Sequence, residues 1–93
     1  SSDLFQVDID TSTEVSTITI TSNSGEYILI DIDDSFINVG GYDVDDNCCC
    51  EESVRWDPEN DDVDDVYEDI KNAVSTVYAG IIECRMREMF NEE

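Results

Sequence analysis

The spacing of the apolar residues changes once along this chain, and that change limits the folds it can adopt. Up to about residue 44, apolar side chains alternate with polar ones, as Phe5, Val7 and Ile9 do. Between residues 63 and 84 they recur at steps of three and four. A period of two is typical of a half-buried strand, and steps of three and four are typical of an amphipathic helix. The order of the two patterns predicts an α+β fold in which strands precede one helix.

Four segments predict an antiparallel meander of about four strands. They cover about residues 3–10, 14–22, 26–34 and 36–45. The second segment is rich in β-branched residues, and a turn at Gly25 follows it. Gly40 and Gly41 interrupt the fourth segment, where a bulge or a turn would explain the shift in alternation. Residues 47–56 fit either a fifth strand or a covering loop.

A helix over about residues 58–90 would lie across one face of the sheet. Asp57 suits the position that caps a helix, and Pro58 suits the first helical position. The apolar stripe of this helix consists of Val63, Val66, Tyr67, Ile70, Val74, Val77, Tyr78, Ile81 and Cys84. A length of 93 residues predicts a single domain over residues 1–93 with a modest core.

The charge of the chain is strongly acidic and unevenly placed. The 25 acidic residues and four basic residues give a net charge of −21. Residues 31–69 hold sixteen of the acids and one base, which is a net charge of −15. This charge excludes direct binding to nucleic acid or to an anionic membrane, and it favours a strongly basic partner. Because nucleic-acid-binding proteins carry the commonest basic surfaces in a cell, the concentrated charge predicts a binding face for one of them.

Acids at outward strand positions, in loops and on the polar side of the helix are the candidates for that face. Strand residues two apart are about 6.6 Å from each other, and helix residues three or four apart share a side. Their carboxylates would therefore form regular arrays, as the phosphates of a nucleic acid do. The candidate residues are Asp31, Asp33, Asp34, Asp43, Asp45, Asp46, Glu51, Glu52, Asp57, Asp61, Asp64, Asp65 and Glu68.

A calcium site is a weaker alternative for the same acids. The residues at ligand positions of an EF-hand loop would be Asp57, Glu59, Asp61, Asp65 and Glu68. Asp62 stands where that loop needs a glycine for its sharp turn, and the helical spacing of the nearby apolar residues also opposes a loop. The sequence therefore favours no metal site and no cofactor.

Catalysis is not expected either. The chain has no histidine and one lysine, and it shows no nucleophile elbow and no glycine-rich phosphate loop. Its many carboxylates occupy polar stretches, whereas a catalytic acid needs burial to raise its pKa. The three adjacent cysteines form a poor zinc site because neighbouring side chains point apart, so we expect Cys48, Cys49 and Cys50 to be small half-buried residues.

The sequence also gives expectations for localisation and assembly. No apolar stretch approaches the roughly 18 residues of a membrane span, and no signal-peptide pattern is present. The expectation is a reducing cytoplasm in which all four cysteines are thiols. Met86, Met89 and Phe90 could extend the apolar surface of the helix towards a partner or a second copy, and the oligomeric state stays open.

Size, charge and acid-rich strand and helix segments together resemble one class of proteins. These are small, very acidic α+β proteins of phages that act as DNA mimics, such as anti-restriction proteins, anti-CRISPR proteins and inhibitors of uracil-DNA glycosylase. The segments that carry the resemblance are the strand acids Asp8, Asp10, Asp31 and Asp33 and the helix acids from Asp57 to Glu68. The resemblance implies an inhibitor acting in the cytoplasm of a host cell on a CRISPR effector or a restriction enzyme.

Three other functions fit the acidic composition. An immunity protein or antitoxin that neutralises one basic nuclease would use the same electrostatics. A protein adapted to high salt would also be rich in Asp and poor in Lys, although four cysteines and the uneven charge fit that explanation less well. A calcium-binding module is the third alternative.

Overall fold

Five antiparallel strands and one helix make up the fold, in a computed structural model that describes residues 5–10 and 16–91. The strands are β1 (Phe5–Asp10), β2 (Ser16–Ser22), β3 (Tyr27–Ile32), β4 (Phe36–Tyr42) and β5 (Cys48–Arg55), and the helix is α1 (Val63–Asn91). The strands form a simple meander in the order β1-β2-β3-β4-β5. The predicted α+β architecture is confirmed, with five strands where about four were predicted; the fifth lies in the segment that fitted either a strand or a loop.

The core lies between β3, β4 and α1. Residues directly opposite each other on paired strands share a face of the sheet, and the register places Ile30 beside Val39 and Ile32 beside Ile37. That face carries the helix and is called the helix side below; the other is called the open side. The buried apolar residues are Ile28, Ile30, Ile37 and Val39 on the sheet and Val66, Ala73, Val77 and Ile81 on the helix.

The helix covers only part of the sheet. It packs on β5 and β4 and reaches β3, and its backbone does not approach the described parts of β1 and β2. Val7 and Ile9 are therefore 56% and 67% exposed, although the sequence predicted their strand to be half-buried. Their alternation is correct, since they lie beside Ile20 and Ile18 on the helix side. The helix simply does not extend over them.

The glycine pair lies inside β4, and the irregularity in pairing falls on the facing strand. Gly41 is opposite Cys50 and Tyr42 is opposite Cys48, so Cys49 is the extra residue of a bulge in β5. A side chain at Gly41 would place its Cβ 2.7 Å from Val77 Cγ1 and 2.8 Å from Ile81 Cγ1. Gly41 is thus required by the close approach of α1, and β4 ends at Tyr42 instead of near residue 45.

The helix begins at Val63, five residues after the predicted start. Asp57 closes a separate turn, because its carboxylate accepts the Glu59 N–H at 3.0 Å and its carbonyl accepts the Asp61 N–H at 2.8 Å. Asp62 caps the helix, with its carboxylate accepting the Asp64 N–H at 3.0 Å. The predicted cap, Asp57, is therefore wrong, and Pro58 belongs to the turn and not to the helix.

An ion pair joins the residue before β3 to the second half of the helix. Glu26, the only buried charged residue in the described ranges, accepts hydrogen bonds from Nε of Arg85 at 3.0 Å and from Nη2 of the same residue. Burial of this pair leaves no polar atom without a partner, since every buried side-chain polar atom described has a hydrogen bond.

In residues 5–10 and 16–91, no helix combines the length and the apolar character that crossing a membrane requires.

Candidate acidic binding surface

The predicted acids fall at two opposite ends of the sheet and on both of its faces. The β3–β4 turn at residues 33–35 and the segment 56–62 lie at the end where the helix starts. The loop at residues 43–47 lies at the other end of β5, an eight-residue strand that is about 26 Å long. Asp43, Asp45 and Asp46 therefore do not join the acids of the helix, contrary to the prediction of one continuous face.

The acids of the 43–47 loop hold the loop together. The Asp43 carboxylate accepts the backbone N–H groups of Asp45 and Asn47, both at 2.9 Å. These hydrogen bonds, first that from Asn47, lower the pKa of Asp43. Asp46 has a positive φ of 69° and accepts the Tyr27 hydroxyl at 2.9 Å. Two of these three acids therefore have structural roles.

Replacing Asp43 with asparagine should lower the melting temperature by a few degrees at neutral pH. Because the folded-state pKa of Asp43 is lowered, its contribution is present above the unfolded value of about 3.9 and is lost as the pH falls through the folded value. The difference between wild type and variant should therefore shrink below about pH 4. Asp45→Asn is the matched control in the same loop and should change the melting temperature less at every pH.

Two acids of β3 and its turn, Asp31 and Asp33, also accept hydrogen bonds within the fold. Asp31 accepts the Thr17 hydroxyl at 3.1 Å and is only half-exposed on the open side. Asp33 accepts the backbone N–H of Asp34, and its carbonyl accepts the indole N–H of Trp56 at 2.9 Å. These contacts tie the β3–β4 turn to the segment after β5. Asp31 and Asp33 therefore do not form the free outward pair that the alternation predicted.

Glu51 and Glu52 lie on β5 and not in a loop, and they point to opposite sides. Glu51 is opposite Gly40 on the open side, and Glu52 is opposite Val39 on the helix side. Glu52 and Asp69 line a shallow groove of about 440 Å³ between β5 and the helix, together with Asn72 and Thr76. Arg55 lines the same groove and is the one cation there.

The helix brings acids into two rows beside this groove. Asp64 and Glu68 are four residues apart and share one side of the helix, as do Asp65 and Asp69. The second row faces the groove because Asp69 lines it with Glu52. We name Glu52, Asp64, Asp65, Glu68 and Asp69 the acidic ridge. All five are exposed.

Most of the ridge is electrically uncompensated. Within the described ranges, Glu52, Asp64, Asp65 and Asp69 accept no side-chain hydrogen bond and form no ion pair. Glu68 pairs with Lys71 at 3.3 Å, but both side chains are more than half exposed, so the pair contributes little. The ridge is thus a set of carboxylates that the basic side chains of the described fold leave largely unneutralised.

A second acidic groove adjoins the ridge at the start of the helix. Its acids are Asp34, Asp57 and Asp61, and Arg55 and Trp56 also line its volume of about 500 Å³. Asp61 accepts the Asp57 N–H at 2.7 Å, and the hydrogen bond from the Asn60 side chain is the largest cause of the lowered pKa of Asp57. Of this group only Asp34 has a side chain without a described partner.

The acids do not assemble as the ligands of a cation. In the described part of the chain, no three carboxylate or thiol side chains lie together as a metal site requires. Asp57 and Asp61 belong to the turn before the helix, whereas Asp65 and Glu68 lie on the helix itself. The EF-hand positions counted along the sequence are therefore not brought around one point.

The β5 bulge explains the arrangement of the three cysteines. Cys48 is exposed, while Cys49 and Cys50 are half-buried towards the helix. Burial, with Cys84 as a hydrogen-bonding neighbour, raises the pKa of Cys49 to about 12, and burial also raises that of Cys50. Cys50 packs against Gly80, where an added Cβ would lie 2.5 Å from its own Cβ.

Alkylation should therefore distinguish the adjacent thiols. With iodoacetamide at about pH 8, Cys48 should be modified first and Cys49 should be protected, because the thiolate is the reactive form. Peptide mass spectrometry against time gives the order. Modification of Cys49 as fast as Cys48 in the folded protein would contradict the arrangement of the bulge.

Sequence reasoning missed two acids of this region. Asp69 completes the row begun by Asp65, and its spacing of four from Asp65 could have identified it. Asp62 caps the helix and has a structural role.

No protein-family model, curated protein or solved structure shows significant similarity to this chain.

Proposed function

We propose that this protein is a small acidic inhibitor that occupies the basic nucleic-acid-binding cleft of a nuclease in place of nucleic acid. The observation that supports the proposal is the acidic ridge, in which four carboxylates have no described partner. A carboxylate that no basic side chain of its own fold neutralises remains available to attract an external cation. Such groups at one end of a rigid helix form a ready surface for lysine and arginine side chains.

The geometry of the ridge fits a regular polyanion. Helix residues four apart are separated by about 6 Å along the axis, so Asp65 and Asp69 repeat a charge at that interval. Asp64 and Glu68 repeat it in a second row, and Glu52 adds a charge from β5. Backbone hydrogen bonding of α1 and β5 fixes the positions of these carboxylates, which a disordered acidic tail would not do.

Electrostatics also favours a basic cleft as the binding partner. The eight acids of residues 57–69, a segment without a base, would steer a basic surface to this end of the molecule, and association should be fast and weaken steeply with added salt. A bound inhibitor of this kind blocks the cleft without any chemical step. More specifically, we propose that the target is a host defence nuclease, either a CRISPR effector or a restriction enzyme. Enzymes of these two kinds are targets of the DNA mimics that this chain resembles.

Affinity capture followed by an inhibition assay tests the proposal. The tagged protein is used at low salt to capture partners from bacterial lysates that contain CRISPR or restriction enzymes, and the captured nuclease is purified and assayed for cleavage. The expected result is a nuclease whose cleavage is inhibited at stoichiometric concentrations. Capture that persists at about 1 M salt, or a captured nuclease whose cleavage is unaffected, would contradict the proposal.

A further inference from the structure

An uncovered apolar surface at the β1 side of the sheet is separate from the acidic ridge. Val7 and Ile9 are exposed there, and Ile20 and Ile18 lie beside them on the same side. The backbone of the described helix does not extend over β1 or β2. We name these four residues the β1–β2 face. Exposed apolar patches on small proteins commonly mark an interaction site.

The helix supplies one wall of a groove along this face. Ile20 and Ile28 of the sheet and Val74 and Tyr78 of the helix line a predominantly apolar groove of about 350 Å³. A groove between a sheet and the side of a helix has the shape that a further helix fills. The occupant must therefore present apolar side chains on a helical segment.

The same chain has such a segment at the end of its helix. Met86, Met89 and Phe90 are 48%, 64% and 75% exposed, and we name residues 82–91 the helix tip. The tip is about 15 Å long, and a six-residue strand such as β1 is about 20 Å long. One tip therefore fits within the length of one β1–β2 face.

The charge of these surfaces allows a second copy to be the occupant. The helix tip holds Glu83 and Glu88 against Arg85 and Arg87, so its net charge is zero. β2 has no charged residue, and β1 carries two, Asp8, which is opposite Thr19 on the open side, and Asp10, which is paired with Thr17. Two chains of charge −21 repel strongly at their acidic ends, whereas these surfaces can meet with little repulsion.

The available area suits a weak, specific dimer. Val7, Ile9, Tyr78 and the three exposed residues of the tip together offer on the order of 600 Å² of apolar surface on each copy. A standard interface buries about 800 Å² on each partner, so this contact lies at the small end of the range. Association in the micromolar range is the corresponding expectation.

We propose that two copies form a twofold dimer in which the helix tip of each packs on the β1–β2 face of the other. The exchange is reciprocal, so the contact closes after two copies and does not propagate into a fibre. Both acidic ridges stay outside the contact. The dimer therefore does not depend on the proposed inhibitory function, and either proposal can fail alone.

Sedimentation equilibrium from about 1 to about 100 µM tests the dimer. The wild-type protein should shift from monomer towards dimer over that range. Met89→Glu with Phe90→Glu in the tip should give monomer throughout, and Val7→Asp with Ile9→Asp in the face should do the same. Val63→Asp is the matched control, because Val63 is 74% exposed at the other end of the helix, and it should dimerise as the wild type does.

Mixing the two monomeric variants gives the sharpest result. A mixed dimer would contain one intact contact, between the tip of the face variant and the face of the tip variant, so partial dimerisation should return. A wild-type protein that stays monomeric, or a tip variant that still dimerises, would overturn the proposal. Circular dichroism checks the fold of each variant, all of which change residues at least 56% exposed.

Discussion

Reversing Glu52, Asp65 and Asp69 to lysine together should weaken binding to the target nuclease by at least about 100-fold. Each reversal removes an attraction for a basic side chain and adds a repulsion. About 1 kcal/mol at each of three sites is enough, because every 1.4 kcal/mol changes the dissociation constant tenfold. The dissociation constant for the captured nuclease, measured at fixed salt, gives the effect. The loss should appear mainly in the association rate if these charges steer the encounter.

The fold should survive this triple reversal. None of the three carboxylates has a described partner, and exposed substitutions of that kind usually change stability by less than about 0.5 kcal/mol. The control is the reversal of Asp8, Asp45 and Glu51 to lysine. It changes the net charge by the same amount, but at residues that lie outside the ridge. An equal loss of binding in the control would show that total charge, and not the acidic ridge, determines affinity.

Glu26→Gln should lower the free energy of unfolding by about 1–3 kcal/mol. The Glu26 side chain is 11% exposed and that of Arg85 is 42% exposed, so the substitution leaves a partly buried guanidinium without its counter-charge. Urea unfolding followed by circular dichroism measures the change. The contact joins the start of the β3 segment, just before Tyr27, to the helix across 59 residues of sequence, so its loss affects the whole fold.

Glu83→Gln is the matched control for this second prediction. Glu83 also pairs with an arginine, Arg87, at 2.8 Å, but both side chains are more than 60% exposed. An exposed pair of this type contributes about 0.3–0.5 kcal/mol. If Glu26→Gln and Glu83→Gln lowered the free energy of unfolding by the same small amount, the buried Glu26–Arg85 pair would not stabilise the fold more than an exposed pair does.

The apolar spacing was sufficient to predict the fold class but not the fifth strand or the start of the helix. β5 lacks a clear alternation because Cys49 forms a bulge and Glu52 points to the helix side, where apolar residues are expected. The helix start was wrong because Asp57 and Asp62 both suit a cap, and only the hydrogen bonds of the Asp57 turn distinguish them. How far the helix extends over the sheet depends on tertiary packing.

The acidic surface was predicted in composition but not in shape. Nothing in the local sequence shows that Asp31 accepts a hydrogen bond from Thr17 or that Asp46 accepts one from Tyr27, since those partners are 14 and 19 residues away. Nor does it show that β5 separates the 43–47 loop from the helix. The helical spacing did identify Asp64, Asp65 and Glu68, three of the five residues of the acidic ridge.

Competition between this protein and nucleic acid for the nuclease tests the central proposal most directly. The apparent dissociation constant of the protein from the captured nuclease is measured at increasing concentrations of unlabelled nucleic-acid substrate, at constant ionic strength. If the acidic ridge fills the nucleic-acid cleft, the apparent constant should rise in proportion to the substrate concentration. An apparent constant that does not change, with protein and nucleic acid bound to the nuclease together, would contradict the proposal.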